Sequence, residues 1–168
     1  MKKVAVCPGS YDPVTFGHID IARRAAELFG ACRVVVMNNR DKKYLFSLEE
    51  RFRLCQAAFA EDENITVDLY EGMLYEYLGT LEEPVLVKGI RNETDYLYEK
   101  NMARFNFEHS GVETLYLDAS EKFQTLSSTQ VRSKIEKKED LSGDLPEKVI
   151  KLLQNKMKIF CERVPFAL

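Results

Sequence analysis

Short β-branched runs alternate along the chain with longer stretches whose apolar residues recur at helical spacing. Five of the short runs read as strands: "KVAVC" (3–7), "RVVVMN" (33–38), "ITVDLY" (65–70), "PVLVKG" (84–89) and "ETLYLD" (113–118). Several are apolar without interruption, the pattern of strands covered on both faces. "HIDIARRAAELFG" sets Ile21, Ala22, Ala25, Leu28 and Phe29 on one helical face, opens at or near His18 and stops at Gly30, a residue suited to the left-handed turn that ends a helix. "SLEERFRLCQAAFA" begins with Ser47 and Glu50 at capping-box spacing and turns Leu48, Phe52, Cys55 and Phe59 inward. The reading is completed by a short helix in "GMLYEYLGTL", a longer one over 93–109, one starting near Ser128 and a last one from Pro146 to Met157. This alternation predicts an α/β fold, a doubly wound five-stranded parallel sheet with helices on both faces. Such sheets bind ligands beyond the carboxyl ends of the strands, where the strand order reverses. Residues directly after strands are therefore the place to search for chemistry.

The length of 168 residues suits one domain, expected over 1–160, with 161–168 as a C-terminal tail. With 24 Lys and Arg against 27 Asp and Glu, the net charge is −3. A mixed surface of that kind predicts no nucleic-acid partner and makes any phosphate recognition local. The first seven residues are too short for a secretory apolar region, and no run approaches membrane-spanning length. A cytoplasmic protein without a membrane partner is expected. The four cysteines, Cys7, Cys32, Cys55 and Cys161, form no C-x-x-C pair and have too few histidines for a zinc site. They read as reduced, mostly buried small hydrophobes.

The first strand runs into "PGSYDPVTFGH" (8–18). Pro8 and Gly9 end the strand, Pro13 stiffens the loop, and Gly17 admits close backbone approach where the first N–H groups of the next helix lack helical partners. That builds an anion site. Neither the G-x-G-x-x-G dinucleotide fingerprint nor the G-K-[ST] of a P-loop is present. In the plainest reading, Thr15 or His18 simply caps the helix. "LSSTQVR" (126–132) makes a second junction, with hydroxyls and N–H groups of Ser127, Ser128 and Thr129 at a helix start and Arg132 one turn later. The set suits a polyphosphate, or equally an N-cap followed by a solvated basic face. "VLVKGIR" (85–91) puts Lys88 at a strand end, Gly89 after it and Arg91 in the loop, a phosphate clamp in outline. In "RDKKY" (40–44), Lys42 or Lys43 could reach a transferring phosphoryl group, although charge runs in loops also stand merely solvated. Asp95, Tyr98, Glu99, Met102 and Asn106 share one face of the 93–109 helix. That face suits a pocket wall and the margin of an amphipathic helix alike.

"TFGH" (15–18) resembles the T/H-x-G-H signature of the nucleotidyltransferase superfamily, whose members transfer a nucleoside monophosphate from a triphosphate and release pyrophosphate. "LSSTQVR" resembles that superfamily's second signature, I-S-S-T/S-x-x-R, in the right order and at the same kind of junction. With "PGSYDPVTFGHIDI", "KKYLFSLEER" and "VKGIRNETDYLYE" added, the match spans almost the whole chain and is similar to the bacterial phosphopantetheine adenylyltransferase family. The resemblance implies a Rossmann-like fold and a homohexamer. It implies transfer of AMP from ATP to 4′-phosphopantetheine, giving 3′-dephospho-coenzyme A and pyrophosphate, with Mg2+ held mainly by ATP oxygens and water. Coenzyme A enters as a candidate feedback inhibitor. By the same resemblance His18 and Lys42 are catalytic at the α-phosphate. The ATP site takes Ser10, Tyr11, His18, Gly89, Ile90, Arg91, Glu99 and the run Phe123, Gln124, Thr125, Leu126, Ser127, Ser128 and Thr129. Lys88 grips the phosphate of the second substrate, which Ser10, Lys42, Met73, Leu74 and Asn106 also contact. Three positions depart from the family pattern. Lys88 stands where Arg is frequent and keeps the charge without the bidentate fork, Ser10 replaces a common Thr, and Leu126 replaces Ile after a lead-in shortened to "FQT".

The implied reaction is direct displacement. A phosphate nucleophile is anionic near neutral pH, so the site supplies alignment and charge stabilisation and needs neither a general base nor a covalent intermediate. The alternatives are another small nucleotidyltransferase, acting on nicotinamide mononucleotide or as a cytidylyltransferase, and a non-catalytic module that senses ATP or coenzyme A. Lys42, Met73, Leu74, Lys88 and Asn106, which fit an elongated substrate, separate the first; His18 with Lys42 separates the second.

Overall fold

All five apolar runs form strands: β1 (Val4–Gly9), β2 (Cys32–Met37), β3 (Ile65–Tyr70), β4 (Pro84–Ile90) and β5 (Thr114–Asp118). The structure, a computed structural model, describes residues 3–162, with side chains described through residue 155. The strands pair in parallel in the order β3-β2-β1-β4-β5. Between them run α1 (Phe16–Phe29), α2 (Leu48–Ala58), α3 (Leu74–Leu78) and α4 (Glu93–Ser110), and after a single 3-10 turn (Glu121–Phe123) come α5 (Ser128–Lys137) and α6 (Glu147–Glu162).

Alternation along the strands divides the core in two. Ala5, Cys7, Val34, Val36 and Val87 face α1, α2, α5 and α6 through Ala22, Leu54, Val131 and Val149, while Val6, Val35 and Leu86 face Tyr77 and Leu78 around α3. The doubly wound arrangement follows, because both faces of the central strands need covering. Cys7, Cys32 and Cys55 are buried free thiols, and Cys32 donates to the sulfur of Cys7 at 3.5 Å. No helix among the described residues is long and apolar enough to cross a membrane.

Two sequence expectations shift, while the first helix starts near His18 as its sequence indicates. The first helix opens two residues before His18, with Thr15 as its N-cap, and buries Ile19, Ala22, Ala25 and Ala26. Leu28 is 61% exposed, because it lies six residues after Ala22 and so about 120° off that stripe. The last helix runs past Met157 to Glu162, since "KIFCE" contains no breaker and the next proline is Pro165. The remainder of the expected tail lies outside the described residues.

One irregularity of the sheet prepares the site. The β1–β4 ladder holds only the pairs Val4–Pro84, Ala5–Val85 and Val6–Leu86, whereas β1 stays paired with β2 through Gly9. The strands flanking the reversal in order therefore diverge at their carboxyl ends and open a cleft. Pro8, which has no N–H to give, stands where β1 keeps a single pairing neighbour.

Candidate active site

The cleft has a volume of about 1300 Å³ and lies over the carboxyl ends of β1, β2 and β4, walled by the first turns of α1, α3 and α5 and by one face of α4. It brings together residues scattered through the sequence: Ser10, Tyr11 and His18 after β1; Lys42 and also Lys43 after β2; Met73 and Leu74 at α3; Lys88, Gly89 and Arg91 at β4. The predicted face of α4 lines it through Asp95, Tyr98, Glu99, Met102 and Asn106, and Phe123, Leu126, Ser127, Ser128 and Thr129 close the far side.

His18 is held by its own helix start. At the third helical position its Nδ1 accepts the backbone N–H of Thr15 at 3.0 Å, and the buried Thr15 hydroxyl lies at the same distance. Accepting at Nδ1 leaves the ring proton of the neutral imidazole on Nε2. Desolvation, with Arg91, Lys42 and Lys88 nearby, lowers the His18 pKa to about 4. The result is a fixed, neutral donor at a helix N-terminus. Tyr11 packs edge-on against the ring, centroids 5.0 Å apart, and its hydroxyl donates to the Cys7 carbonyl at 2.6 Å. That hydroxyl is therefore engaged within the protein, and the tyrosine presents its ring. Gly9 makes the fit possible, since a Cβ there would stand 3.0 Å from Tyr11 Cε2.

The cations differ in freedom. Lys88 donates to the Pro8 carbonyl at 3.3 Å and pairs with Glu99 at 3.2 Å, so its ammonium spans the gap between β1 and β4. Arg91 forks onto Asp95 at 2.8 and 3.1 Å and donates to the Leu126 carbonyl at 3.3 Å, which lowers the Asp95 pKa. Lys42 is exposed and makes no salt bridge among the described residues. Gly89 permits α1 to approach β4: a Cβ there would be 2.8 Å from Ile21 Cγ1.

The Ser-Ser-Thr segment carries more structural duty than its sequence suggests. Ser127 caps α5 by accepting the Gln130 N–H at 3.2 Å, and Ser128 donates to the Pro13 carbonyl at 2.9 Å. Arg132 donates to the Asp12 carbonyl at 2.7 Å and to the Thr129 hydroxyl at 3.1 Å. All three hydroxyls thus bond within the protein, while backbone N–H groups of the first turn face the cleft as helix N-termini do. Three predicted members stand apart from the cleft. Ile90 is buried and lines a separate shallow hollow of about 500 Å³ with Tyr96 and Tyr116. Gln124 and Thr125 are exposed; the Gln124 N–H closes the 3-10 turn on the Glu121 carbonyl, directing these two residues around the turn.

Asp12 and Arg51 escape the sequence reading. Asp12, 3% exposed, accepts the N–H groups of Leu45 and Phe46, each at 2.9 Å. Arg51 is fully buried and donates into the same two loops. The signal was present: Arg51 lies three residues after Leu48 and four before Cys55, on the stripe the helix turns inward.

A family model described as Cytidylyltransferase-like matches residues 6–134, from within β1 to within α5. The phosphopantetheine adenylyltransferase of Clostridium novyi (strain NT) is 36% identical over 156 residues, covering 92% of this chain and 97% of the relative. That of Streptomyces coelicolor (strain ATCC BAA-471 / A3(2) / M145) is 39% identical over 154 residues, with the same coverage of 92% and 97%.

Proposed function

The chain belongs to the phosphopantetheine adenylyltransferase family of nucleotidyltransferases, and we propose that its cleft joins ATP to 4′-phosphopantetheine, releasing pyrophosphate and 3′-dephospho-coenzyme A. The observation that carries the reading is the convergence of His18, Lys42, Lys88 and Arg91 on one space at the strand-order reversal. A phosphate oxygen of phosphopantetheine attacks the α-phosphorus; the new P–O bond forms as the bond to the β-phosphate breaks, and that electron pair leaves with pyrophosphate. His18 Nε2–H donates to an α-phosphoryl oxygen without having to change its own protonation. Lys42, on a loop and without a salt bridge among the described residues, follows the charge as it shifts. Lys88 holds the incoming phosphate next to Pro8, and Arg91 with the α5 N-terminus receives the departing β- and γ-phosphates.

A magnesium ion carried on the triphosphate would neutralise charge on the leaving phosphates. The donor set fits a metal that arrives with ATP. Asp95 is forked onto Arg91, Glu99 is paired with Lys88, and Asp12 is bonded to backbone N–H groups. Among the described residues no three His, Cys, Asp or Glu side chains gather to hold a metal. The half-exposed Met73 beside Leu74, with Asn106 lining the same cleft, suits the apolar and amide stretches of a pantetheine arm. Coenzyme A contains that same arm and would compete for it as a feedback inhibitor. A cytoplasmic homohexamer completes the proposal. Among the described residues of α4, Asn106 alone is buried, while Tyr96, Leu97 and Phe107, with Leu115 on the edge strand β5, stay exposed. Self-association would cover them. Pyrophosphate release with each candidate acceptor tests the substrate assignment, and light scattering tests the assembly.

A further inference from the structure

Arg51 places a charge where α2 has no need of one. Its neighbours on the helix, Leu54, Cys55 and Ala58, make an ordinary apolar stripe, yet the arginine is 0% exposed and makes no salt bridge among the described residues. Such burial is strongly unfavourable unless each donor finds a partner. The partners are the carbonyls of Ser10 at 2.6 Å, Met37 at 3.0 Å and Phe46 at 3.2 Å, together with Asn38 Oδ1. All belong to two segments: the turn that follows β1, and the β2 end with the loop that carries Lys42.

Tyr44 extends the connection. The Arg51 guanidinium lies over its ring at 4.1 Å, and its hydroxyl stands 3.4 Å from Ser10 Oγ and donates to the Asn39 carbonyl at 3.1 Å. The same Asn39 carbonyl accepts the backbone N–H of Lys42 at 3.1 Å. One planar fork therefore ties the Ser10 turn to the exposed loop whose lysine must meet the reacting phosphate. A lysine at position 51 would keep the charge but lose the rigid geometry that reaches four oxygens at once.

We propose that Arg51 is a positioning residue for adenylyl transfer, clamping the Lys42 loop against the Ser10 turn so that the Lys42 ammonium is set at the phosphoryl group under attack. This rests on the function proposed above. The test is a double-variant cycle of Arg51→Lys and Lys42→Ala, with the fold of each variant followed by circular dichroism and thermal unfolding. Wild-type pyrophosphate release from ATP and 4′-phosphopantetheine is measured first; its absence would overturn the functional reading and this proposal with it. Given activity, Arg51→Lys should lower kcat by about 10- to 100-fold, the scale of a misplacement near 1 Å, while ATP affinity changes by less than about threefold. The double variant should be no slower than Lys42→Ala alone, to within about threefold. A merely structural arginine would lower Tm with normal kcat in the folded protein, or give losses that multiply, and either result overturns the proposal. If Arg51→Lys does not fold, Tyr44→Phe replaces it in the cycle, since it keeps the ring beneath the guanidinium and removes the hydroxyl. Multiplicative losses there would equally refute the clamp.

Discussion

His18 should stay uncharged at pH values where an ordinary imidazole takes up a proton. Its pKa is lowered from 6.5 to about 4 by desolvation and by Arg91, Lys42 and Lys88. The sign of the stability effect follows from linkage. The unfolded chain binds a proton at His18 as pH falls through 6.5 and the folded chain does not, so stability is complete above 6.5 and declines as pH drops toward 4. A shift of that size is worth up to about 3 kcal/mol in total, of which about 2 kcal/mol is lost between pH 7.5 and pH 5. Urea unfolding of the wild type and of His18→Gln at those two pH values measures the difference, because the variant lacks this contribution. Long-range 1H–15N spectra of the imidazoles give the tautomer directly. The chain has two histidines, so His109→Ala assigns the signals. The expected result is a protonated Nε2, an unprotonated Nδ1 bonded to the Thr15 N–H, and no titration step between pH 5 and pH 8. A His18 midpoint near 6.5, or a proton on Nδ1, would refute the reasoning that a fixed neutral donor stands here.

Three further outcomes are expected. His18→Ala should lower kcat by about 10²- to 10³-fold with little change in ATP affinity by calorimetry, the signature of a donor used chiefly in the transition state. Lys88→Ala should raise the KM for 4′-phosphopantetheine by about 10- to 100-fold, the loss of a charge-assisted hydrogen bond; an effect confined to ATP would put Lys88 on the other substrate. Gly89→Ala should destabilise the fold by about 1–3 kcal/mol in urea unfolding, because its Cβ would meet Ile21 Cγ1 at 2.8 Å, and Ile21→Ala should restore most of that loss.

The strands were legible because burial on two faces demands apolar runs, and "VAVC", "CRVVVM" and "PVLVKGI" are short and rich in β-branched residues. The junctions at Thr15 and Ser127 were legible too, since capping residues are chosen locally. What local pattern could not carry was the identity of long-range partners. Nothing in "LEERFRLC" says that Arg51 turns toward the Ser10 and Met37 carbonyls, 41 and 14 residues away. Nor does "LSST" reveal that the Ser128 hydroxyl bonds Pro13, 115 residues earlier. Leu28 is exposed for a smaller reason: the buried stripe centres on Ile19, Ala22, Ala25 and Ala26, and Leu28 falls about 120° from it, beyond what apolar spacing alone distinguishes. Ile90, Gln124 and Thr125 flank residues that line the cleft, and contiguity in sequence does not survive a strand end or a 3-10 turn.

The proposed function requires this cleft to align a phosphate of phosphopantetheine with the α-phosphorus of ATP. Pyrophosphate release from ATP and magnesium, with 4′-phosphopantetheine, nicotinamide mononucleotide and glycerol 3-phosphate supplied separately as acceptors, tests it most directly. Turnover is expected with 4′-phosphopantetheine, collapsing in His18→Ala, and none of comparable rate with the other two. Faster turnover with nicotinamide mononucleotide or glycerol 3-phosphate, or binding of ATP without pyrophosphate release from any acceptor, would contradict it.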